Sequence, residues 1–164
     1  MIKLSELKEV STNVNLDDYL KLYNYVRDNM ENKNWLGTFP KEEIMNILNN
    51  GGKIWLYYDK DTPVCSMFYI PTTEKVLTKY HIDYQSSITG SLGPIMVSKD
   101  YTGNGLGLAM MNVLDEYLKS INIEHIFTKV HADNIYSIKN ILKNGYKEVY
   151  EYVNERGNNK IFLK

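Results

Sequence analysis

The sequence predicts a mixed α/β fold in which a central sheet of about six to seven strands is flanked by about four helices. Two observations carry this prediction. First, β-rich runs alternate with amphipathic helical runs along the chain, and no repeat or linker interrupts them. Second, residues 91–130 have the order strand, glycine loop, helix, strand. Such a unit makes its two strands parallel and places the loop at their carboxyl ends.

The individual elements follow from periodicity and from turn residues. Strands are expected at residues 2–10, 53–58, 64–70, 91–97, 124–130, 146–153 and 160–163. Helices are expected after Asn15 or Asp17, over residues 41–50, from the glycine loop to about Ser120, and from Asp133 or Asn134 to Gly145. The strands at 53–70 and at the end of the chain form hairpins. We expect one domain over residues 1–164, with an insertion at about residues 72–90.

Composition excludes several functional classes. The chain has 164 residues, 43% of them hydrophobic, and a net charge of −1, which fits one domain able to bury its own core. This near-neutral charge argues against nucleic acid or a membrane surface as a partner. The single cysteine, Cys65, excludes an internal disulfide, and the three histidines lack metal-ligand spacing, so no metal is expected. Neither a signal peptide nor a long apolar run is present, which predicts a cytoplasmic protein.

The most informative stretch is GPIMVSKDYTGNGLGLAMM at residues 93–111. Gly103, Gly105 and Gly107 lack a Cβ atom where the chain bends and where a ligand can approach the backbone. The helix that follows, capped by Asn104 or Thr102, would offer free N–H groups to an anion. In the alternative interpretation the glycines only satisfy the geometry of a tight turn.

Spacing separates this loop from two other phosphate loops. A Walker loop needs Lys and Ser or Thr after its last glycine, where this chain has Leu108 and Ala109. A dinucleotide-binding loop needs a further glycine at a position that is not glycine here. Phosphoryl transfer and dinucleotide binding are therefore disfavoured.

The loop resembles the acetyl-CoA loop of the GNAT superfamily of N-acetyltransferases. That family has Arg or Gln, two residues, Gly, one residue, and Gly or Ala. This chain has Thr102, Gly103, Asn104, Gly105, Leu106 and Gly107. A second segment with Val130, Asn134, Gly145 and Tyr146 is similar to the family's following strand and helix. Two family side chains are missing, because Thr102 replaces the Arg or Gln and Ile141 replaces a tyrosine that often protonates the departing thiolate.

The resemblance implies a binding site for acetyl-CoA, with no metal. Residues 102–107 would hold the pyrophosphate. The backbone N–H groups of Met96 and Val97 would hold the pantetheine arm and polarise the thioester carbonyl. Asn134 would support the same arm or a bound water.

Candidates for proton transfer follow from residue type and from position in the predicted elements. His131 stands at the carboxyl end of a strand, and an imidazole changes charge near neutral pH, so His131 is the first candidate for a general base. A partly exposed histidine at a strand end is the structural alternative. Tyr136 could contact either the thiolate or the cofactor. Asp83 and His81, in the insertion, are further candidates.

Two segments leave a choice of interpretation. The insertion is either a solvated excursion or a lid over the substrate side that uses Tyr80, His81, Asp83 and Tyr84. Trp35 and Phe39, in the loop after the first helix, form either a local hydrophobic plug or a wall of the substrate pocket.

The combined expectation is an enzyme that transfers the acetyl group of acetyl-CoA to a primary amine of a small molecule or peptide, by direct attack in a ternary complex. No nucleic acid or membrane partner is expected, and a homodimer stays open. A non-catalytic acyl-CoA sensor or interaction module is the alternative, because Thr102 and Ile141 replace two family side chains.

Overall fold

The computed structural model describes residues 2–164. Its strands are β1 (Lys8–Val10), β2 (Lys53–Asp59), β3 (Thr62–Pro71), β4 (Thr89–Leu92), β5 (Met96–Val97), β6 (His125–His131), β7 (Lys147–Asn154) and β8 (Gly157–Leu163). Its α-helices are α1 (Leu16–Asp28), α2 (Lys41–Asn49), α3 (Glu74–Lys79), α4 (Leu106–Ser120) and α5 (Ile135–Lys143). The mixed α/β fold class predicted from the sequence is confirmed. No helix within residues 2–164 is long and apolar enough to cross a membrane.

The strands form one eight-stranded sheet in the order β1-β2-β3-β4-β6-β8-β7, and β5 pairs with β3 beside this path. In the described part of the chain, only β4 and β6 pair in parallel, from Thr89 opposite His125 to Leu92 opposite Thr128, and the other pairings are antiparallel. The strand, loop, helix, strand unit therefore has the parallel arrangement that its sequence predicts.

Helices cover both faces of the sheet. Successive side chains of a strand point to opposite faces, and on β3 Met67 packs in the core beneath α4 and α5 while Phe68 packs in the core beneath α1 and α2. The third core cluster lies between α3 and strands β6 to β8 and includes Tyr80 and Phe127. On β6, Ile126 belongs to the α4 and α5 side, so Phe127 and α3 lie on the face that carries α1 and α2.

The predicted strand at 91–97 is wrong in one respect, because it is two strands. β4 ends at Leu92, whose carbonyl oxygen accepts a hydrogen bond from Oγ1 of Thr128 at 3.1 Å. The next residue, Gly93, donates its N–H to Phe68 on β3 at 2.7 Å, and Pro94 has no N–H to give to a ladder. β5 therefore follows β3 and separates from β6. We call the space between β5 and the carboxyl half of β6 the strand gap.

The insertion is a packed element, which contradicts the predicted solvated excursion. Thr73 caps α3 by accepting the N–H of Val76 at 3.3 Å. Tyr80 then packs on Phe127, with ring centroids 6.0 Å apart. His81 stacks on Tyr150 and Tyr84 stacks on His125. These contacts fasten the segment to the sheet, and its role as a lid over the substrate side stays a prediction.

Candidate active site

The glycine loop has the backbone that its sequence predicts. Gly103 and Gly105 adopt φ angles of +82° and +74°, in the left-handed region that favours glycine. A Cβ atom built on either residue would meet no other atom within 4 Å. The loop is therefore open on the side where these two side chains are missing, and a bound group can approach the backbone there.

The loop also carries a run of unpaired donors. Ala109 donates its N–H to the carbonyl oxygen of Gly105 at 3.0 Å, which closes the first turn of α4. Within residues 2–164, none of the N–H groups of residues 103–108 donates to a protein acceptor. Free N–H groups at a helix N-terminus, together with the helix dipole, favour an anion. The loop thus fits the pyrophosphate of acetyl-CoA.

The predicted caps of this helix are wrong. Thr102 donates its hydroxyl to the carbonyl oxygen of Lys99 at 2.9 Å, and Asn104 donates its side-chain amide to that of Tyr101 at 3.1 Å. Gly105 occupies the N-cap position, without a side chain. Both polar side chains close the preceding turn, which leaves the N–H groups of α4 free.

The edge of β5 presents one of the two predicted backbone donors to the strand gap. Ser98 donates its N–H to Val64 on β3 at 2.8 Å, and Met96 lies opposite Ser66 in the same ladder. Because N–H groups alternate sides along a strand, the N–H of Met96 also faces β3, whereas that of Val97 faces the gap. The role expected of the Met96 N–H is therefore contradicted, and that of Val97 is geometrically available.

A side chain that the sequence analysis missed lies beside the loop. A Cβ atom at Gly107 would lie 3.6 Å from Nδ2 of Asn140 on α5 and 3.9 Å from Cγ2 of both Ile95 and Val97. Gly107 thus marks the place where α4, α5 and β5 meet at the strand gap. Asn140 follows Asn134 by six residues, which is neither the i,i+3 nor the i,i+4 spacing of residues on one helix face, so no local signal pointed to it.

The first turn of α5 positions two of the predicted residues. Asn134 caps the helix, because its Oδ1 accepts the N–H of Ser137 at 3.3 Å. Tyr136 is 67% exposed. Ile141, where the family has a tyrosine, is 2% exposed and packs in the core beneath α4 and α5. No hydroxyl stands at that position.

His131 is held on both sides of its ring. Nε2 lies 2.7 Å from the carbonyl oxygen of Arg156, and Nδ1 accepts the N–H of Asp133 at 3.2 Å. Nε2 is thus placed to donate to the carbonyl oxygen of Arg156 while Nδ1 accepts from the backbone of Asp133. The side chain is also buried, with 7% of the residue exposed. Neither nitrogen is open to a substrate amine in this arrangement.

Asp83 lies on the insertion and is exposed. On one side of it His81 stacks on Tyr150 of the edge strand β7, and on the other side Tyr84 stacks on His125 at the amino end of β6. Within residues 2–164, no hydrogen bond or ion pair joins Asp83 to His131. A catalytic role for Asp83 stays a prediction.

The loop between α1 and α2 lies beside the carboxyl half of β6. Phe39 packs on Phe68, with centroids 5.9 Å apart, so it is the hydrophobic plug. The short 3-10 turn Lys33–Trp35 packs against β6. The hydroxyl of Tyr23 bonds to the carbonyl oxygen of Gly37 and accepts the N–H of Phe39 at 3.2 Å. This loop and the turn between β7 and β8 therefore flank the end of β6.

Comparison with known proteins agrees with this geometry. The profile of the acetyltransferase (GNAT) family matches residues 19–146. A search of curated proteins with the sequence gave no match.

Solved structures with the same fold share little sequence with this chain. A probable acetyltransferase from Staphylococcus epidermidis ATCC 12228 has a TM-score of 0.73 and 16% identity, over 96% of both chains. The ribosomal-protein-alanine N-acetyltransferase from Brucella melitensis has a TM-score of 0.73 and 16% identity, over 96% of this chain and 98% of that one. A putative acetyltransferase from Salmonella typhimurium with its cofactor acetyl-CoA has a TM-score of 0.69 and 9% identity, over 97% of this chain and 93% of that one.

The structural matches show the fold, and the family profile covers most of the chain. The free N–H groups of the glycine loop and the strand gap supply the binding geometry that the family's donor requires. This chain belongs to the GNAT family of acetyltransferases, which transfer an acetyl group from acetyl-CoA.

Proposed function

We propose that the protein transfers the acetyl group of acetyl-CoA to a primary amine of a small molecule or a peptide, by direct attack in a ternary complex. The observation that carries the proposal is the strand gap. The free N–H groups of residues 103–108 lie beside this gap, which extends to the carboxyl end of β6. We call the surface at that end, between the α1–α2 loop and the β7–β8 turn, the acceptor face. A cytoplasmic location and a homodimer remain predictions.

The backbone supplies most of the binding groups for the donor. The N–H groups of residues 103–108 would hold the pyrophosphate, and the N–H of Val97 would hold the pantetheine arm. Asn134 and Asn140 on α5 would contact the same arm from the other side of the gap. Acetyl-CoA supplies an activated acetyl thioester when it is bound. The protein's contribution is then to fix that group beside the amine and to exclude water.

The amine must be neutral before it can attack. For a lysine-like amine of pKa about 10.4, deprotonation at pH 7 costs about 4.6 kcal/mol, whereas a thiol of pKa about 8.5 leaves as thiolate for about 2 kcal/mol. The lack of a general acid for the thiolate therefore costs less free energy than the lack of a means to deprotonate the amine. For this reason Ile141 in place of the family tyrosine is compatible with an active enzyme.

The proton-transfer residues remain predictions. His131 as general base requires a free lone pair, and its Nδ1 already accepts from the backbone. These contacts favour a positioning role, in which His131 holds the β7–β8 turn and the amine loses its proton to solvent. Tyr136 stays a candidate for contact with the thiolate or with the cofactor, since its exposed ring lies on the first turn of α5.

Thiol release from acetyl-CoA tests the proposal. Wild-type protein incubated with a panel of primary amines should release CoA only when an amine is present, and mass spectrometry should find the acetylated amine. Tight CoA binding with no turnover on any amine would contradict the proposal and would favour the acyl-CoA sensor.

A further inference from the structure

The turn between β7 and β8 carries an arginine, Arg156, whose side chain has no hydrogen-bond or ion-pair partner among residues 2–164. The residue is half-buried. A partly buried charge without a partner lowers stability, and the planar guanidinium matches the geometry of a carboxylate or a phosphate.

The backbone of this turn is fixed from three sides. Arg156 donates its N–H to Oδ1 of Asn154 at 2.9 Å, and its carbonyl oxygen accepts from His131. The buried Asn159 donates to the same Oδ1 and to the carbonyl oxygen of Gly157, both at 2.9 Å. None of these bonds involves the side chain of Arg156. The turn therefore presents the guanidinium from a rigid base, and replacing the side chain leaves the backbone contacts intact.

The guanidinium reaches across to the α1–α2 loop. A Cβ atom at Gly37 would lie only 2.8 Å from Nη1 of Arg156, so the close approach depends on the glycine. Trp35 is two residues before Gly37, in the turn that packs against β6. The Arg156 side chain thus extends from the β7–β8 turn to the α1–α2 loop, the two segments that flank the acceptor face.

A second unpaired cation lies on the same face of the sheet. Lys129 follows Thr128, the last β6 residue that pairs with β4, and therefore stands where the strand gap opens. It forms no ion pair with any residue that the structure describes, and its Nζ lies 6.0 Å from the centre of the Tyr80 ring. Tyr80 in turn packs on Tyr152 of β7, with ring centroids 5.5 Å apart. The nearby carboxylates, Glu155 and Asp133, are exposed and leave both cations unpaired.

We propose that the acceptor amine carries a carboxylate and that Arg156 binds this group, with Lys129 adding positive charge beside it. The planar guanidinium offers two parallel N–H donors to a carboxylate, and such charge-assisted pairs are stronger than neutral hydrogen bonds. This inference rests on the proposed function, because it names the class of amine for the same site. It predicts that Arg156 sets the KM for the acceptor and does not act on the reacting atoms.

Matched amines with and without a carboxylate test the inference. The pairs are lysine and 1,5-diaminopentane, tyrosine and tyramine, and a tetrapeptide amide with aspartate or asparagine at its second position. Turnover is followed by thiol release, and binding to the CoA-loaded protein is followed by tryptophan fluorescence, since Trp35 lies beside the site. The variants are Arg156→Gln and Arg156→Lys. Lys143→Gln removes one exposed charge on α5 as the matched control.

In at least one pair, wild-type protein should bind or turn over the carboxylated member about ten- to a hundredfold better. Arg156→Gln should remove that preference through KM, with kcat and the carboxylate-free amine little changed, and Arg156→Lys should restore part of it. Lys143→Gln should keep it. Absence of any preference in the wild type, or a preference that survives in Arg156→Gln, would overturn the inference.

The two measurements separate this inference from the proposed function. Turnover of amines without a carboxylate preference would leave the acetyltransferase proposal standing and reject the role of Arg156. Carboxylate-dependent binding that Arg156→Gln abolishes, without turnover of any amine, would support the role of Arg156 and reject the proposed amine acetylation.

Discussion

Nε2 of His131 lies 2.7 Å from the carbonyl oxygen of Arg156, which joins the end of β6 to the β7–β8 turn. The two residues are far apart in sequence, yet the bond fixes the turn that flanks the acceptor face. A histidine that looks like a general base by position is therefore also a structural link. This relationship gives the first prediction.

His131→Gln should keep much of the activity, because the amide nitrogen of glutamine can donate to the same carbonyl oxygen. His131→Ala removes the bond and should lower kcat/KM about tenfold, from a loss on the order of 1 kcal/mol in holding the turn. The measurement is kcat/KM for one amine across pH 6 to about pH 10 in all three proteins.

The pH profile decides between the two roles of His131. If the amine loses its proton to solvent, kcat/KM rises with pH until the pKa of the amine, and His131→Ala lowers the whole curve in parallel. A large loss in His131→Gln, with recovery at high pH or with added external base, would instead restore the prediction that His131 is the general base.

Gly105→Val should abolish acetyl-CoA binding in a folded protein. Valine resists the φ of +74° at this position, and its side chain would fill the open space that the phosphate needs. Gly51→Val is the matched control, since Gly51 has a φ of +93° and lies outside the loop, between α2 and β2. Calorimetric titration of both variants measures the effect. Retained affinity in Gly105→Val would mean that the glycines only shape a turn.

Thr102→Arg should tighten CoA binding roughly five- to thirtyfold, or about 1 to 2 kcal/mol. The native hydroxyl donates to Lys99 and is not free for a phosphate, whereas a guanidinium makes charge-assisted bonds to a pyrophosphate. Binding should also become more sensitive to salt.

Dephospho-CoA is the control ligand for this variant, because it keeps the pyrophosphate and lacks only the ribose phosphate. It should gain affinity as CoA does. A gain confined to CoA would place the new arginine at the ribose phosphate, and no gain with either ligand would contradict the placement of Thr102 beside the pyrophosphate.

Cys65 should be unreactive towards a thiol reagent such as dithiobis-nitrobenzoate at pH 8 while the protein is folded. Burial raises the pKa of the Cys65 thiol to about 12, so the reactive thiolate is scarce, and the side chain is inaccessible. One thiol per chain should react after unfolding in denaturant. Fast reaction of the native protein would contradict the burial of β3 in the core and would also interfere with thiol-release assays.

The sequence predicted the glycine loop well because its signal is local. Glycines at Gly103 and Gly105 specify a backbone conformation directly, and the apolar spacing after them specifies a helix. The strand gap was not predicted, since a strand pattern over 91–97 does not reveal which neighbour each residue pairs with. Pro94 was the available sign of a break, because it cannot continue a ladder.

The contacts of the catalytic candidates depend on tertiary structure. His131 is engaged by Arg156 from another strand, and the insertion that carries Asp83 is fastened to the sheet by aromatic stacking. No local pattern encodes either contact. Residue type and strand position therefore identified side chains capable of proton transfer. The contacts that each of them makes could be read only from the fold.

Acetyl transfer in a ternary complex is tested most directly by mass spectrometry of the protein and of the amine, after incubation with acetyl-CoA. With an acceptor amine, the account predicts CoA release and an acetylated amine, and Gly105→Val should show neither. Without an amine, the wild-type protein should show no CoA release and no added acetyl mass. CoA release without amine, with an acetyl group on the protein that later passes to the amine, would contradict direct attack.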